Sequence, residues 1–445
     1  MAGRSGSGAG DGARGDAAAD GGAAARAGRA GAPADGGLSI GRNMLWNSAG
    51  SLTSLGCQWL ITVLIVRLSS GYDAAGVYSL AMAVYGIFMN IAQYRMYTYQ
   101  ISDVRGENTL GEYYTFRLIT CSAALALTMA YAVATCRPAT WLAIFLYGAY
   151  RSAALVIDVF HATDQQIHRM DYIGKSLMLQ GVVSLGLFVA VFTGTRSLEA
   201  TLAAMTAGIV AIHFAYDRRR TCAVVPLELG IAPAKVRRLL LGCLPIVLAG
   251  VACAAAPSLP RQYLSATQGD AALGAYAAVA APVAIIQMGV SYIYNPLLGY
   301  FAESYEARDG ARFARLMRVT LLGAAGVAAA CAIGLELFGG PLLSLVYGAR
   351  ILPYLYLLVP LVLCAVLTGL MWFVNDLLIA LRNFKSTFIG SAAALAASAA
   401  STVPCIALLG LNGVTAATAL ACAVSIAIMA CFLVPQVRGR FAGER

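Results

Sequence analysis

The sequence predicts an all-α polytopic membrane protein, with twelve transmembrane helices in two six-helix bundles related as a parallel repeat. Three observations lead there. Of the 445 residues, 60% are hydrophobic and only 12% charged, against about 25% charged in a soluble globular domain. The apolar residues fall into runs of about 20, the length that crosses a bilayer core as helix. A short phrase also occurs twice, as DAAGVY from Asp73 to Tyr78 and DAALGAY from Asp270 to Tyr276. Each copy follows an apolar stretch and an arginine, Arg67 or Arg261, and opens another apolar stretch. The copies lie roughly 200 residues apart, a spacing expected of two like bundles with a pathway between them. Chance recurrence of Ala and Gly is the competing reading.

Residues 1–37 are Gly and Ala with scattered Arg and Asp. They lack the continuous apolar core of a signal peptide and too little apolar surface is present to offset the entropy of ordering, so a disordered tail is expected. The first bundle, 38–216, holds six predicted spans at about 43–68, 74–98, 114–136, 140–160, 173–193 and 198–216. The second, 236–434, holds six at about 236–256, 273–298, 316–338, 353–381, 386–409 and 412–434. A linker, 217–235, joins them; it has Pro226, Pro233 and the run Arg218-Arg219-Arg220. Residues 435–445 form a second tail. Prolines within spans, at 245, 282, 296, 360 and 404, are expected to kink helices and support bending.

Most of the 31 basic residues fall in alternate loops and tails, on the side that holds both termini. These include Arg42, Lys235, Arg237, Arg238, the cluster from Arg308 to Arg318, Arg382, Lys385, Arg438 and Arg440. The loops of the other side hold Arg137, Arg196, Arg261 and Arg350. The positive-inside rule then makes both termini cytoplasmic. The net charge of +10 is this topogenic bias, and no nucleic-acid motif accompanies it. The 11 cysteines are scattered through apolar runs without a CxxC pair, so they are expected to pack as small apolar residues, with no disulfide framework, metal or cofactor. Every loop is too short for a catalytic domain, so an enzyme is not expected.

Charges inside spans are expensive and mark function by default. Arg151 lies near the middle of the fourth span, in FLYGAYRSAALVIDVF. Asp158 is on the same helix face but about 10 Å along the axis, too far for direct pairing. Arg151 therefore either faces a wet cavity or pairs elsewhere. Arg95 lies one turn inside the second span, and Arg67 and Arg261 near opposite-side helix ends; snorkelling is the alternative to a cavity role for all three. Asp158 and Asp376, which follows Asn375, are the candidates for ion coupling, by proton or sodium. Glu336 reads as interfacial, and His161, His168 and His213 as solvated or capping residues. Asn43 and Asn47 share one helix face, a polar entry to the first span beside Trp46. Most of the 22 tyrosines read as interfacial belt residues. Arginines in a low-dielectric cavity suit a phosphate or diphosphate, whose oxygens match the guanidinium fork.

Several strings resemble one family. RNMLWNSAGSL, RLSSGYDAAGVYSLAMA, YRMYTYQISDVRG with YYTFRLITC, IDVFHATDQQIHRMDYIGKS, and LPRQYL followed by GDAALGAYAAVAAPVAIIQMGVSYIYNPLL resemble bacterial polysaccharide exporters of the O-antigen flippase type. These belong to the multidrug/oligosaccharidyl-lipid/polysaccharide exporter superfamily. The resemblance covers most of residues 40 to 385. It implies two bundles forming a V around a central cationic cavity. It implies movement of a polyprenyl-diphosphate-linked oligosaccharide to the outer leaflet of the cytoplasmic (inner) membrane, for cell-surface polysaccharide synthesis. Arg261 matches the family's Pro-Arg element, and Arg95 and Arg117 match the arginines flanking its QISD loop. Gln262 intervenes where the family often has tyrosine next, which leaves the role of Tyr263 open.

The resemblance and the residues together set an expectation of alternating access, with Arg67, Arg95, Arg151 and Arg261 binding cargo. Membrane lipid and other polysaccharide-assembly proteins are the implied partners. An ion-coupled multidrug or metabolite antiporter of the same superfamily is the first alternative and would show acids dominating the cavity. A membrane glycan polymerase or ligase is the second, and would need a sizeable outer loop. A structural scaffold is the third, and leaves the charges inside spans without a role.

Overall fold

Low-dielectric surroundings leave backbone groups no partner but one another, so spanning segments close into helices. The computed structural model describes residues 40–441 except 70, 104–105 and 295–296, and no strand occurs among the described residues. Residues 1–37, residues 442–445 and Pro296, and the readings made of them, lie outside the described residues. The first half runs α1 (Ile40–Leu68), α2 (Asp73–Gln93), α3 (Leu110–Thr135), α4 (Trp141–Gln166), α5 (Met170–Thr195) and α6 (Leu198–Ile212). The second runs α7 (Pro233–Gln268), α8 (Asp270–Tyr294), α9 (Gly310–Tyr347), α10 (Leu358–Ala380), α11 (Phe384–Leu409) and α12 (Leu411–Phe441). Among the described residues, eleven stretches of helix are long and apolar enough to cross a membrane, and α8 adds an apolar run from Asp270 to Ala284. The chain is a multi-pass membrane protein.

Three boundaries depart from expectation. Helix α4 continues to Gln166, so His161 lies inside a helix instead of a loop. Helix α7 has 36 residues and absorbs Pro257, Pro260 and Arg261, which places Arg261 within a span instead of an outer loop. The phrase LPRQYL reads as a breaker, yet neighbouring helices let a membrane helix keep prolines. Helix α9 runs through Pro341 to Tyr347.

Both ends of the described chain lie on one face, here the terminal face. Asn43 helps fix it: its Nδ2 donates to the His168 carbonyl at 2.9 Å and its Oδ1 accepts from the Met170 N–H at 3.0 Å. The first halves of α2 and α8, which hold the two repeat copies, pack on each other at the opposite face. A Cβ on Gly76 would strike the Asp270 backbone, and one on Gly274 would strike the Tyr72 carbonyl and Gly76 nitrogen. Small residues admit such backbone approach between membrane helices. Around this crossing Arg137 pairs with Asp270 at 3.9 Å and donates to the Ser265 carbonyl. Tyr131 donates to Gln262 at 2.8 Å.

On the terminal face an ion pair joins the halves beside a buried apolar cluster of Tyr94, Leu110 and Phe116 with Leu239 and Val247. Lys235 of α7 donates to both oxygens of Glu112, at 2.8 and 2.7 Å. Glu112 is itself half of a capping box with Thr109 at the start of α3. The segment before it turns on Asp103, whose carboxylate accepts from the Glu107 N–H at 2.9 Å, the Asn108 N–H at 3.1 Å and the Tyr113 hydroxyl at 2.8 Å. Burial pushes this carboxyl up, but those hydrogen bonds outweigh it and hold its pKa below the ordinary value.

Two outcomes follow from this packing. Gly76→Val and Gly274→Leu are expected to cost about 1–3 kcal/mol through overpacking, read as lowered thermal stability in detergent. Gly86→Ala, inside α2 at a position with nothing within 4 Å, should hold stability or raise it by up to about 1 kcal/mol. The Asp103 contribution is complete above the ordinary carboxylate pKa of about 4 and lost as pH falls through the depressed value. Asp103→Asn should therefore flatten the acid limb of the stability–pH curve.

Candidate functional site

A cavity of about 650 Å³ lies between α1, α2, α4, α7 and α8, and so between residues of both halves. Its walls are mainly apolar, with Leu52, Leu55, Ile65, Val66 and Met82 among them. Two cations enter it: Arg151 from α4 and Arg261 from α7. No acidic residue lines it among the described residues. Arg151 sits ten residues from the start of α4, roughly 15 Å along the helix and so near mid-membrane.

The groups that act on Arg151 are the tyrosines at 147, 150, 78 and 85. The Tyr78 and Tyr147 rings meet edge-on with centroids 5.4 Å apart. Tyrosine hydroxyls solvate a cation without neutralising it, so the guanidinium keeps its full charge for a ligand. Tyr78 and Tyr276, the last residues of the two repeat copies, both line this cavity. The repeat thus supplies cavity wall as well as a helix crossing. Periodicity hides this, because an aromatic at helical spacing reads equally as core or belt.

A smaller cavity of about 140 Å³ adjoins it inside the first half, sharing Gln58, Tyr150 and Arg151. Asp158 lines this space with Ser54, Gln180 and Ser184. Asp158 Oδ1 lies 3.7 Å from His161 Nδ1, and Arg151 makes no direct ion pair with it.

Arg95 lines a third cavity, about 240 Å³, with Asn90, Trp372, Asn375 and Thr387. This one lies toward the terminal face between α2, α7, α10 and α11. Tyr94 and Arg95 have φ of 45° and 58°, a left-handed pair that breaks the helix between α2 and Met96–Ser102. Non-glycine residues adopt that conformation seldom, and it collects at functional sites. The Tyr94 hydroxyl anchors the break by donating to the Leu240 carbonyl at 2.9 Å. Asp376 accepts from the Tyr294 hydroxyl at 2.9 Å, and the Arg95 charge acts on it.

The structure therefore brings Arg151 and Arg261 together and keeps Arg95 in a separate cavity. Arg67 is at the opposite face, donating to the Val346 carbonyl at 2.7 Å and to the Leu345 carbonyl. Arg117 is only 1% exposed and donates to the Ala92 and Gln93 carbonyls at 2.8 and 2.7 Å. It ties α3 to the end of α2.

These settings separate two kinds of arginine by stability. Arg117→Gln leaves carbonyls without a charged donor and should cost about 2 kcal/mol or more. Arg151→Gln removes a charge that makes no direct ion pair and acts on Asp158 only across the small cavity, so its cost should stay within about 1 kcal/mol. Thermal unfolding of both variants in the same detergent checks the contrast.

No family model matches the sequence, and no curated protein does. Solved structures do resemble the fold. A lipid II flippase MurJ in an inward closed conformation superposes with TM-score 0.68 at 10% identity, covering 90% of each chain. An inward-facing multidrug-resistance MATE family transporter of the MOP superfamily gives TM-score 0.62 at 14% identity, over 93% of this chain and 98% of the other. A MOP superfamily transporter from Pyrococcus furiosus, described by the reverse polarity of its binding pocket, gives 0.59 at 12% identity, over 89% and 96%. At these identities the likeness is one of fold, and the chain is similar in fold to this group of membrane transporters.

Proposed function

We propose that the chain moves a polyprenyl-diphosphate-linked oligosaccharide across the cytoplasmic membrane by alternating access. One observation carries this reading: two arginines enter one largely apolar cavity between the two halves, and no acidic residue lines it among the described residues. A diphosphate carries the charge those guanidiniums lack, and their fork geometry matches its oxygens. Apolar walls on α1 and α8 suit the polyprenyl tail. The tyrosines beside Arg151 offer faces and hydroxyls to sugars. The solved structures similar in fold include a lipid II flippase, which supports a lipid-linked cargo.

The antiporter alternative has support of its own, since MATE transporters share the fold. A cavity for organic cations calls for unpaired carboxylates, and the cavity of Arg151 and Arg261 has none among its described lining residues. Anionic cargo is the better fit.

In this account the moving units are the bundles 38–216 and 236–434, joined by the linker 217–235. The terminal face is cytoplasmic, because the basic residues gather there. Cargo enters past Arg95, its diphosphate passes to Arg151 and Arg261, and the glycan leaves when α2 and α8 part. Arg67 and Arg137 hold the outer face closed until then. Asp158 and Asp376 are the acids placed to couple an ion.

Depletion of the protein, followed by a leaflet-resolved assay of lipid-linked glycan, tests the reading. The glycan should accumulate in the cytoplasmic leaflet, and the double variant R151Q/R261Q at normal protein levels should fail to restore export. Normal outward movement without the protein would end the proposal.

A further inference from the structure

The first half holds a second charged cluster, which runs from the small cavity beside Arg151 toward the terminal face. His161 of α4 is 2% exposed and lies between two carboxylates. Its Nδ1 is 3.7 Å from Asp158 Oδ1, and its Nε2 is 3.5 Å from Asp217 Oδ1. Asp217 is also 2% exposed. Neither His161 Nε2 nor Asp217 Oδ2 has a hydrogen-bond partner. Groups buried to this degree almost always find one, so the pair is a place where a mobile species is expected.

Local structure builds the pair. Helix α6 ends in a π-turn, His213–Asp217. A π-turn inserts one residue into the helical repeat and re-aims the side chains after it, and it occurs often at functional sites. Here it turns Asp217 inward to α4. The third carboxylate acting on the histidine, Asp164, is held by the Thr221 hydroxyl at 3.0 Å.

We propose that Asp158, His161 and Asp217 form a proton-binding relay between the arginine-lined cavities and the terminal face. The chemistry selects a proton. With His161 neutral, three carboxylates converge with no cation in ion-pair contact, Arg117 and Arg151 acting on Asp158 only from farther off. One proton on the ring makes an ion pair on each side and donates from both nitrogens. A metal does not fit, because no group of three or more His, Cys, Asp or Glu among the described residues has the geometry to hold one.

The relay has two ends. Asp158 is 34% exposed on its side chain and opens into the small cavity it shares with Arg151. Asp217 borders Arg218 and the segment that leads into the linker. The surrounding charges define its setting. Arg117 of α3 and Arg151 of α4 act on Asp158, as does Tyr97 from the short helix after α2. Asp171 of α5 acts on Asp164, and His213 and Tyr216 share the π-turn with Asp217. A diphosphate on Arg151 draws on the cation that also compensates Asp158, so cargo binding favours proton uptake and cargo release favours its loss. The link to cargo rests on the function proposed above; the proton site itself does not.

The test uses the full chain in lipid nanodiscs with ¹⁵N-labelled histidine. The protein has three histidines, and H161Q identifies the signal of interest. His161 is expected to take up one proton between about pH 5 and pH 9, and both D158N and D217N should weaken that uptake at least about tenfold. A His161 signal constant over this range, or a titration unmoved by both variants, would overturn the relay. In proteoliposomes a pH gradient should change the rate of glycan-lipid movement several-fold for the native chain and not for H161Q; equal gradient dependence in both would also overturn it. Absence of any glycan-lipid movement contradicts the cargo reading alone, and the histidine titration then decides the relay.

Discussion

A guanidinium taken into a membrane protein must find a carboxylate, a set of carbonyls or water. The arrangement of this molecule follows from how its arginines meet that demand. Arg117 takes two carbonyls and becomes part of the scaffold. Arg67 does the same at the opposite face, with the backbone at 345 and 346. Arg151 and Arg261 have neither solution and face a cavity. Their unmet demand defines the site and the sign of the charge it accepts.

The contacts between halves explain how such a site can face two sides in turn. At the opposite face the closure is a backbone crossing at Gly76 and Gly274 with a few arginine and tyrosine hydrogen bonds around it. At the terminal face it is the Lys235–Glu112 pair and the reach of Tyr94 to α7. Buried apolar side chains back both sets, with Leu239 and Val247 against Tyr94 and Phe116 at the terminal face and Leu264 and Leu273 in one core with Tyr78 at the other, so opening either face exposes apolar surface that cargo or lipid must cover. The prolines at 245, 257 and 260 in α7 leave that helix able to bend while its two ends follow different partners.

Much of this was legible in the sequence because the membrane restricts the alternatives. Apolar run length dictates helices. The position of Arg151 marked a cavity residue, and the doubled phrase marked related helix starts. What the sequence hid depends on packing across distant segments. Arg67 and Arg261 precede equivalent phrases, yet only Arg261 lines the cavity; α7 continues to Gln268, past the expected span end near residue 256. His161 looked like a loop residue because α4 outlasts its apolar run by one turn and more. Asp217 acquires its role from a π-turn, and no pattern of residue types announces one.

The central claim is that Arg151 and Arg261 together hold the diphosphate of a lipid-linked cargo. The most direct measurement is native mass spectrometry of the purified protein with polyprenyl diphosphate and with the matching polyprenyl alcohol. Native protein should retain the diphosphate and not the alcohol, and the R151Q/R261Q variant should lose that preference while remaining folded. Equal retention of the two lipids by the native protein, or an undiminished preference in the double variant, would contradict the account.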